Sequence, residues 1–274
     1  MLTGVSSLRP GWQLMWIICF TLFGCLKAIS ILSEPGFSWS RTGGYLFGWP
    51  GLDPRPFRCA ATPADMRPGF EALLPAIVEL LIGVLLLWGI SPLIASAGTL
   101  VRGWVGLIGL SLVLHFGFFR LLHWLWKRAG VGVERIMDAP LRATSLEEFW
   151  GRRWNRAFRD FAHVWVFRPA LRRVGPMAAM ALVFLFSGII HDLGISVPAG
   201  AGYGLPTLYF GLQFLGVVVQ RSTIARRFGL DRGGAGWGLT ALFILGPAGW
   251  LFHPPFLRVV ILPFLEALGA GHGD

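Results

Sequence analysis

The sequence predicts an all-α, polytopic integral membrane protein: about seven to eight transmembrane helices and one interfacial amphipathic helix, in a single domain over residues 1–274. Three observations carry this prediction. Of the 274 residues, 54% are hydrophobic and 14% charged, and the mean hydropathy of +0.63 lies outside the range of a soluble globular domain. Apolar runs near the length a helix needs to cross the hydrocarbon core recur along the chain. The remaining charge is largely arginine gathered between those runs, so the net charge of +10 and pI of 10.9 point to lipid headgroups and membrane orientation rather than to nucleic acid.

The first run covers residues 12–32, with Lys27 close enough to its end to snorkel. Arg9 and the apolar stretch to Cys25 have the outline of a lipoprotein signal, but the run continues past the cysteine and reads as a span. Residues 33–70 are rich in Gly and Pro, carry Arg41, Arg55, Arg58 and Arg67, and read as turns rather than long helix, with Asp53 initiating a turn before Pro54. Cys19, Cys25 and Cys59 offer neither a disulfide framework nor a metal-ligand spacing. Residues 73–90 and 103–126 form the second and third spans. His115 and His123 on the third are eight residues apart, which sets them on different faces as packing or interface residues.

From Lys127 to Arg173 the chain holds eleven basic residues against five acidic ones. By the positive-inside rule this stretch is expected to face the cytoplasm, and the loop 221–236, with Arg221, Arg226, Arg227 and Arg232 against Asp231, agrees. Tracing the spans places the N-terminus on the opposite side and the C-terminus in the cytoplasm. The fourth and fifth spans are expected at 176–196 and 205–219. The loop 197–204 between them contains Gly200-Ala201-Gly202-Tyr203-Gly204, which lacks nucleotide-binding spacing and follows no strand. Residues 237–252 and 256–268 form the sixth and seventh spans, joined at His253-Pro254-Pro255, where His253 reads as a surface turn residue. Glu79 and Gln213, polar within apolar runs, suit either a tunnel wall or an interhelical hydrogen bond.

The chemistry concentrates between Ser145 and Ser196. Ser145-Leu146-Glu147-Glu148 has the spacing of a capping box, so a helix is expected to begin there. Trp150, Trp154, Phe158, Phe161 and Trp165 recur at helical spacing opposite Arg152, Arg156 and Arg159, the pattern of an amphipathic helix lying in the interface. Further on, His191 and Asp192 sit inside an apolar run, where ionisable groups mark a functional site by default. Helical spacing sets Ser187, Gly188 and Gly194 near His191. A Ser187–His191–Asp192 hydrolase triad is disfavoured, because Asp192 projects about 100° around the helix from the imidazole it would have to orient. The residues alone admit a catalytic histidine, an interhelical hydrogen-bonding histidine, and a proton-coupled or headgroup site in a small transporter or lipid-binding protein.

SLEEFWGRRWN (145–155), followed after about thirty residues by FSGIIHD (186–192), resembles the wax synthase branch of the membrane-bound O-acyltransferase superfamily. The resemblance covers the second half of the chain well, with the motifs in about 127–274, and the first half weakly. It implies that His191, at the histidine of the S-G-x-x-H-[ED] motif, is the general base and that Asn155, of the W-N pair, is its catalytic partner; Asp192 stands where many relatives carry Glu. It further implies transfer of a fatty acyl group from acyl-CoA to a hydroxyl acceptor, a long-chain alcohol or another lipid or natural-product hydroxyl. On that reading Trp154, Ser187, Arg152 and Arg153 contribute to substrate binding, some of the arginines by meeting the CoA phosphates. Neither a metal nor a cofactor is expected, acyl-CoA being a substrate, and the partners are membrane lipids and the two substrates rather than nucleic acid. An inactive relative serving as an interaction protein is the remaining alternative, disfavoured by the retained Asn155 and His191.

Overall fold

A computed structural model of the protein describes residues 10–34, 39–58, 63 and 67–270. The apolar runs fold as helices, and no strand occurs among the described residues. In chain order these are α1 (Gly11–Leu32), α2 (Trp39–Gly48), α3 (Phe70–Leu93), α4 (Thr99–Arg128), α5 (146–153), α6 (Arg156–Ala199), α7 (Leu205–Arg221), α8 (Gly233–Leu251) and α9 (254–267). Five of them, α1, α3, α4, α6 and α8, are long and apolar enough to cross a membrane. The expected fifth and seventh spans correspond to α7, of 17 residues, and α9, of 14. At 1.5 Å per residue these reach about 26 and 21 Å, short of a hydrocarbon core of about 30 Å. Large apolar side chains on the helices remain exposed, including Phe20, Leu81, Leu215 and Leu245, as a lipid-facing surface requires.

Helix α6 has 44 residues, about 66 Å if straight, twice what a single span needs. It is bent at Gly175, whose φ of 79° and ψ of 173° leave the helical region just before Pro176, which has no N–H to donate. The result is an arm, 156–174, and an apolar limb from Pro176 onward that matches the span expected there.

The helix expected to run unbroken from Ser145 through Trp165 is interrupted. Ser145 caps its start as the sequence indicates, its Oγ accepting from the Glu148 N–H at 3.1 Å. Trp154 is then extended and Asn155 left-handed, and helix resumes only at Arg156. The preceding segment forces the break: Asp138 N–H donates to the Arg153 carbonyl at 2.8 Å, and Arg156 N–H donates to the Ile136 carbonyl at 3.0 Å, so residues 136–138 take backbone groups that a continuous helix would use itself. An interruption of two residues leaves the aromatic periodicity legible on both sides.

Two further expectations change in the first third. Residues 33–70 contain α2, and Lys27 does not snorkel but is buried at 1% exposure. Its Nζ donates to the carbonyls of Tyr45 (2.5 Å) and Trp49 (2.6 Å) and lies 3.6 Å from the Tyr45 ring centroid. The ammonium thereby donates to carbonyls at the C-terminal end of α2, where a cation is also favoured by the helix dipole. Asp53 behaves as read, accepting from Arg55 N–H at 3.0 Å. Arg9 and Cys59 lie outside the described residues.

The polar residues within apolar helices pair across elements. Glu79 of α3 bridges Arg120 of α4 at 2.9 Å. Gln213 of α7, fully buried, accepts from Trp150 Nε1 at 3.3 Å and donates to the Phe243 carbonyl at 2.6 Å. Two apolar clusters result. One joins α6, α7 and α9 through Phe184, Phe210, Val217, Leu257 and Leu265; the other joins Tyr45, Trp49 and Phe57 to Ile136, Met137 and Phe161.

Candidate active site

The backbone break builds one wall. Asn155 occupies the left-handed region (φ 39°, ψ 58°), which asparagine tolerates better than most residues. From there its Oδ1 accepts the Phe158 N–H at 3.2 Å and caps α6. Because an N–H can bond only to an acceptor, the oxygen is fixed at the cap and the amide NH2 is the outward, donating end. Trp154, beside it, stacks on Phe149 with ring centroids 5.5 Å apart and 13° between planes.

His191 comes from the apolar limb of α6. Its Nδ1 lies 2.7 Å from the Ser187 carbonyl. A carbonyl oxygen can only accept, so Nδ1 carries the proton and Nε2 of the neutral ring keeps its lone pair. The imidazole leans on Phe210 of α7 at 4.6 Å between centroids. Gly188 permits that approach: a Cβ there would lie 2.7 Å from the Thr207 Cα. Gly194 instead faces α1, its Cβ position 3.5 Å from Cys19 Sγ.

No hydrolase triad forms. The Ser187 hydroxyl donates back to the Val183 carbonyl at 3.0 Å. Asp192 accepts from Gly204 N–H (2.8 Å), Thr207 N–H (3.1 Å), the Thr207 hydroxyl and Ser196 Oγ (2.9 Å), tying the end of α6 to the start of α7.

His191 and Asn155 line one cavity of about 360 Å3, together with Trp154 and Ser187. Most of the remaining wall is apolar, from Trp150, Phe158, Met180, Phe184 and Phe210. The cavity lies on the seam between the two apolar clusters, since Phe184 and Phe210 belong to the first and Trp154 packs on the second. Glu147 and Arg159 are its charged lining. Glu147 pairs with Arg221 through two hydrogen bonds of 2.8 and 2.9 Å, which hold its carboxyl below the usual carboxylate range against the opposing effect of burial. Arg152 and Arg153 lie outside this lining: Arg152 is exposed, and Arg153 pairs with Glu148 at 2.6 Å and donates to the Asp138 carbonyl at 3.2 Å. Burial would raise the Glu148 carboxyl, but the Thr144 N–H and the Arg153 guanidinium more than offset it and hold it low. A second hollow of about 380 Å3, between α7 and α8 near Leu242 and Trp250, is lined by no titratable residue.

The model of the membrane bound O-acyl transferase family matches residues 133–211, the segment holding both cavity walls. The long-chain-alcohol O-fatty-acyltransferase of Simmondsia chinensis is 30% identical over 146 residues, 48% of this chain and 41% of that protein. A probable long-chain-alcohol O-fatty-acyltransferase 3 of Arabidopsis thaliana is 33% identical over 138 residues, 46% of this chain and 40% of its own. The chain is thus similar to the membrane bound O-acyl transferase family over residues 133–211, and to wax synthase-like long-chain-alcohol O-fatty-acyltransferases over nearly half its length. Acyl-CoA–sterol O-acyltransferase 1 of Arabidopsis thaliana is 29% identical over 141 residues, 47% of this chain and 41% of that one. Each of these matches covers about two fifths of the relative's length.

Two residues near the site, Phe210 and His253, escape the sequence motifs. Phe210 is one aromatic residue among many, and only tertiary packing sets it beside His191. His253 departs from its reading as a surface turn residue and is fully buried. The chain folds Gly202 over its ring, at a distance where a Cβ would come within 2.5 Å. The helical count from His191 flags Ser187, but nothing in the local sequence marks His253.

Proposed function

We propose that the protein transfers a fatty acyl group from acyl-CoA directly to the hydroxyl of a lipid acceptor, with a long-chain alcohol as the favoured class. The observation that carries this reading is the Nδ1–Ser187 hydrogen bond, which leaves His191 Nε2 as a base in a cavity it shares with the Asn155 amide. As the acceptor oxygen bonds to the thioester carbonyl carbon, its proton passes to Nε2. The Asn155 NH2 donates to the carbonyl oxygen as negative charge develops there. Collapse of the tetrahedral intermediate breaks the C–S bond, and the imidazolium returns its proton to the departing CoA thiolate. No acyl-enzyme is required, since base, donor and apolar walls serve both substrates in one complex.

The apolar lining suits acyl and alkyl chains, and Trp154 and Ser187 form part of the wall they contact. On this reading Arg159, at the lining and paired with Asp160, and the exposed Arg152 meet the CoA phosphates; Arg153, held by Glu148, orders the wall. The match to a sterol acyltransferase favours a sterol as the second acceptor class. Purified protein in lipid, supplied with labelled long-chain acyl-CoA and a panel of alkanols, sterols and diglycerides, is expected to form ester, most rapidly with alkanols. No ester with any acceptor contradicts the reading, and a sterol product alone replaces the favoured acceptor.

The reading orients residues 127–173 and 221–236 toward the cytoplasm, where acyl-CoA is found. In sealed vesicles of known sidedness, Arg152→Cys and Arg226→Cys are expected to react with a membrane-impermeant maleimide from the cytoplasmic face only. Labelling from the opposite face reverses the topology.

A further inference from the structure

Residues 192–196 and 204–207 are tied to the distant segment 253–256 behind His191 by one directed chain of hydrogen bonds. Phe256 N–H donates to His253 Nδ1 at 3.2 Å, so that nitrogen has no proton and the neutral ring carries its N–H at Nε2. His253 Nε2 lies 3.3 Å from Ser196 Oγ and donates to it. Ser196 has one hydroxyl proton and three neighbours, of which the Asp192 carboxylate is the nearest, at 2.9 Å, and the only charged one. The proton goes there. Ser196 and His253 are both fully buried, and the remaining lone pairs of Asp192 take the Gly204 and Thr207 donors at the start of α7.

One turn beyond Thr207, α7 presents Phe210 to the His191 ring at 4.6 Å. His191 is itself adjacent to Asp192, so the carboxylate fixes both surfaces of the contact: the end of α6 that carries the base and the start of α7 that braces it. We propose that His253 is a positioning residue for acyl transfer, acting through Ser196 and Asp192 to hold Phe210 against the face of His191. The inference rests on the acyltransferase reading. It gives the turn before α9 a part in the chemistry, although His253 does not line the cavity.

The test separates the two bonds of the His253 ring. His253→Asn keeps an acceptor for Phe256 N–H but is too short to reach Ser196; His253→Gln extends an N–H toward Ser196 and gives up the cap. Ser196→Ala cuts the same link from the other side with the smallest change in volume. Rates are compared per folded protein in lipid. Expected are kcat values about tenfold lower for His253→Asn and Ser196→Ala with the KM for acyl-CoA unchanged, no further loss in their double variant, and His253→Gln within about twofold of the parent. A parental kcat for Ser196→Ala overturns the proposal even where the His253 variants fail to fold, and so does a His253→Asn enzyme faster than His253→Gln. If the parent forms no ester with any acceptor, the acyltransferase reading fails and the inference falls with it; an active parent with unaffected variants overturns the inference alone.

Discussion

In the proposed mechanism Asn155 serves the fold and the chemistry with opposite ends of one amide. Its backbone sits at a positive φ, its oxygen caps α6, and its NH2 is left out of that cap on a residue that lines the cavity. These contributions can be separated. Asn155→Gly accepts the left-handed backbone without strain and forfeits only a few tenths of a kcal/mol as a helix cap, but has no donor. It is expected to keep the parental thermal midpoint within a few degrees while kcat falls about 100-fold or more, as loss of one oxyanion donor does. Asn155→Ala adds roughly 1–2 kcal/mol of left-handed strain and should melt earlier as well. A glycine variant as active as the parent would remove the amide from the mechanism. At this scale the sequence was informative where short motifs mark residues: His191, Ser187, Asn155 and Trp154 all line one cavity. It was uninformative for His253, whose partner Ser196 lies 57 residues away and whose burial depends on a glycine loop folding over it.

Among the elements, the pairing of α6 with α7 sets Phe210 beside His191, and at Gly188 the two helices pack closely. A methyl group there would sit 2.7 Å from the Thr207 Cα, backbone that cannot rotate away. Gly188→Ala is expected to cost about 1–3 kcal/mol by overpacking and to push α7, with Phe210, off the His191 ring. The thermal midpoint and kcat should fall together; a fully active, equally stable variant would mean that the helices tolerate separation and that Phe210 is not needed in place. Periodicity located the helices but not their interruptions. The Trp and Phe spacing continues across Trp154–Asn155 because the break is two residues long and is imposed by backbone bonds to residues 136–138, which leave no mark on side-chain pattern. Helix α2 was likewise hidden in a Gly-rich stretch, since part of what holds its end is a buried Lys27 from another helix.

For the molecule as a whole, two apolar clusters meet along a seam, and the cavity occupies that seam, walled on one side by the broken helix and on the other by the limb of α6. The surrounding helices expose apolar side chains, so under the proposed function both the acyl chain and an alkyl acceptor would reach His191 from the phase in which they dissolve. The central claim is that His191 Nε2 takes the proton of the acceptor hydroxyl. Its most direct test is the rate of ester formation from labelled long-chain acyl-CoA by the parent and by His191→Ala, each reconstituted in lipid and shown folded by an equal thermal transition. The account predicts a loss of at least about 100-fold in the variant, the contribution of a positioned general base. Ester formed by His191→Ala at the parental rate would contradict it.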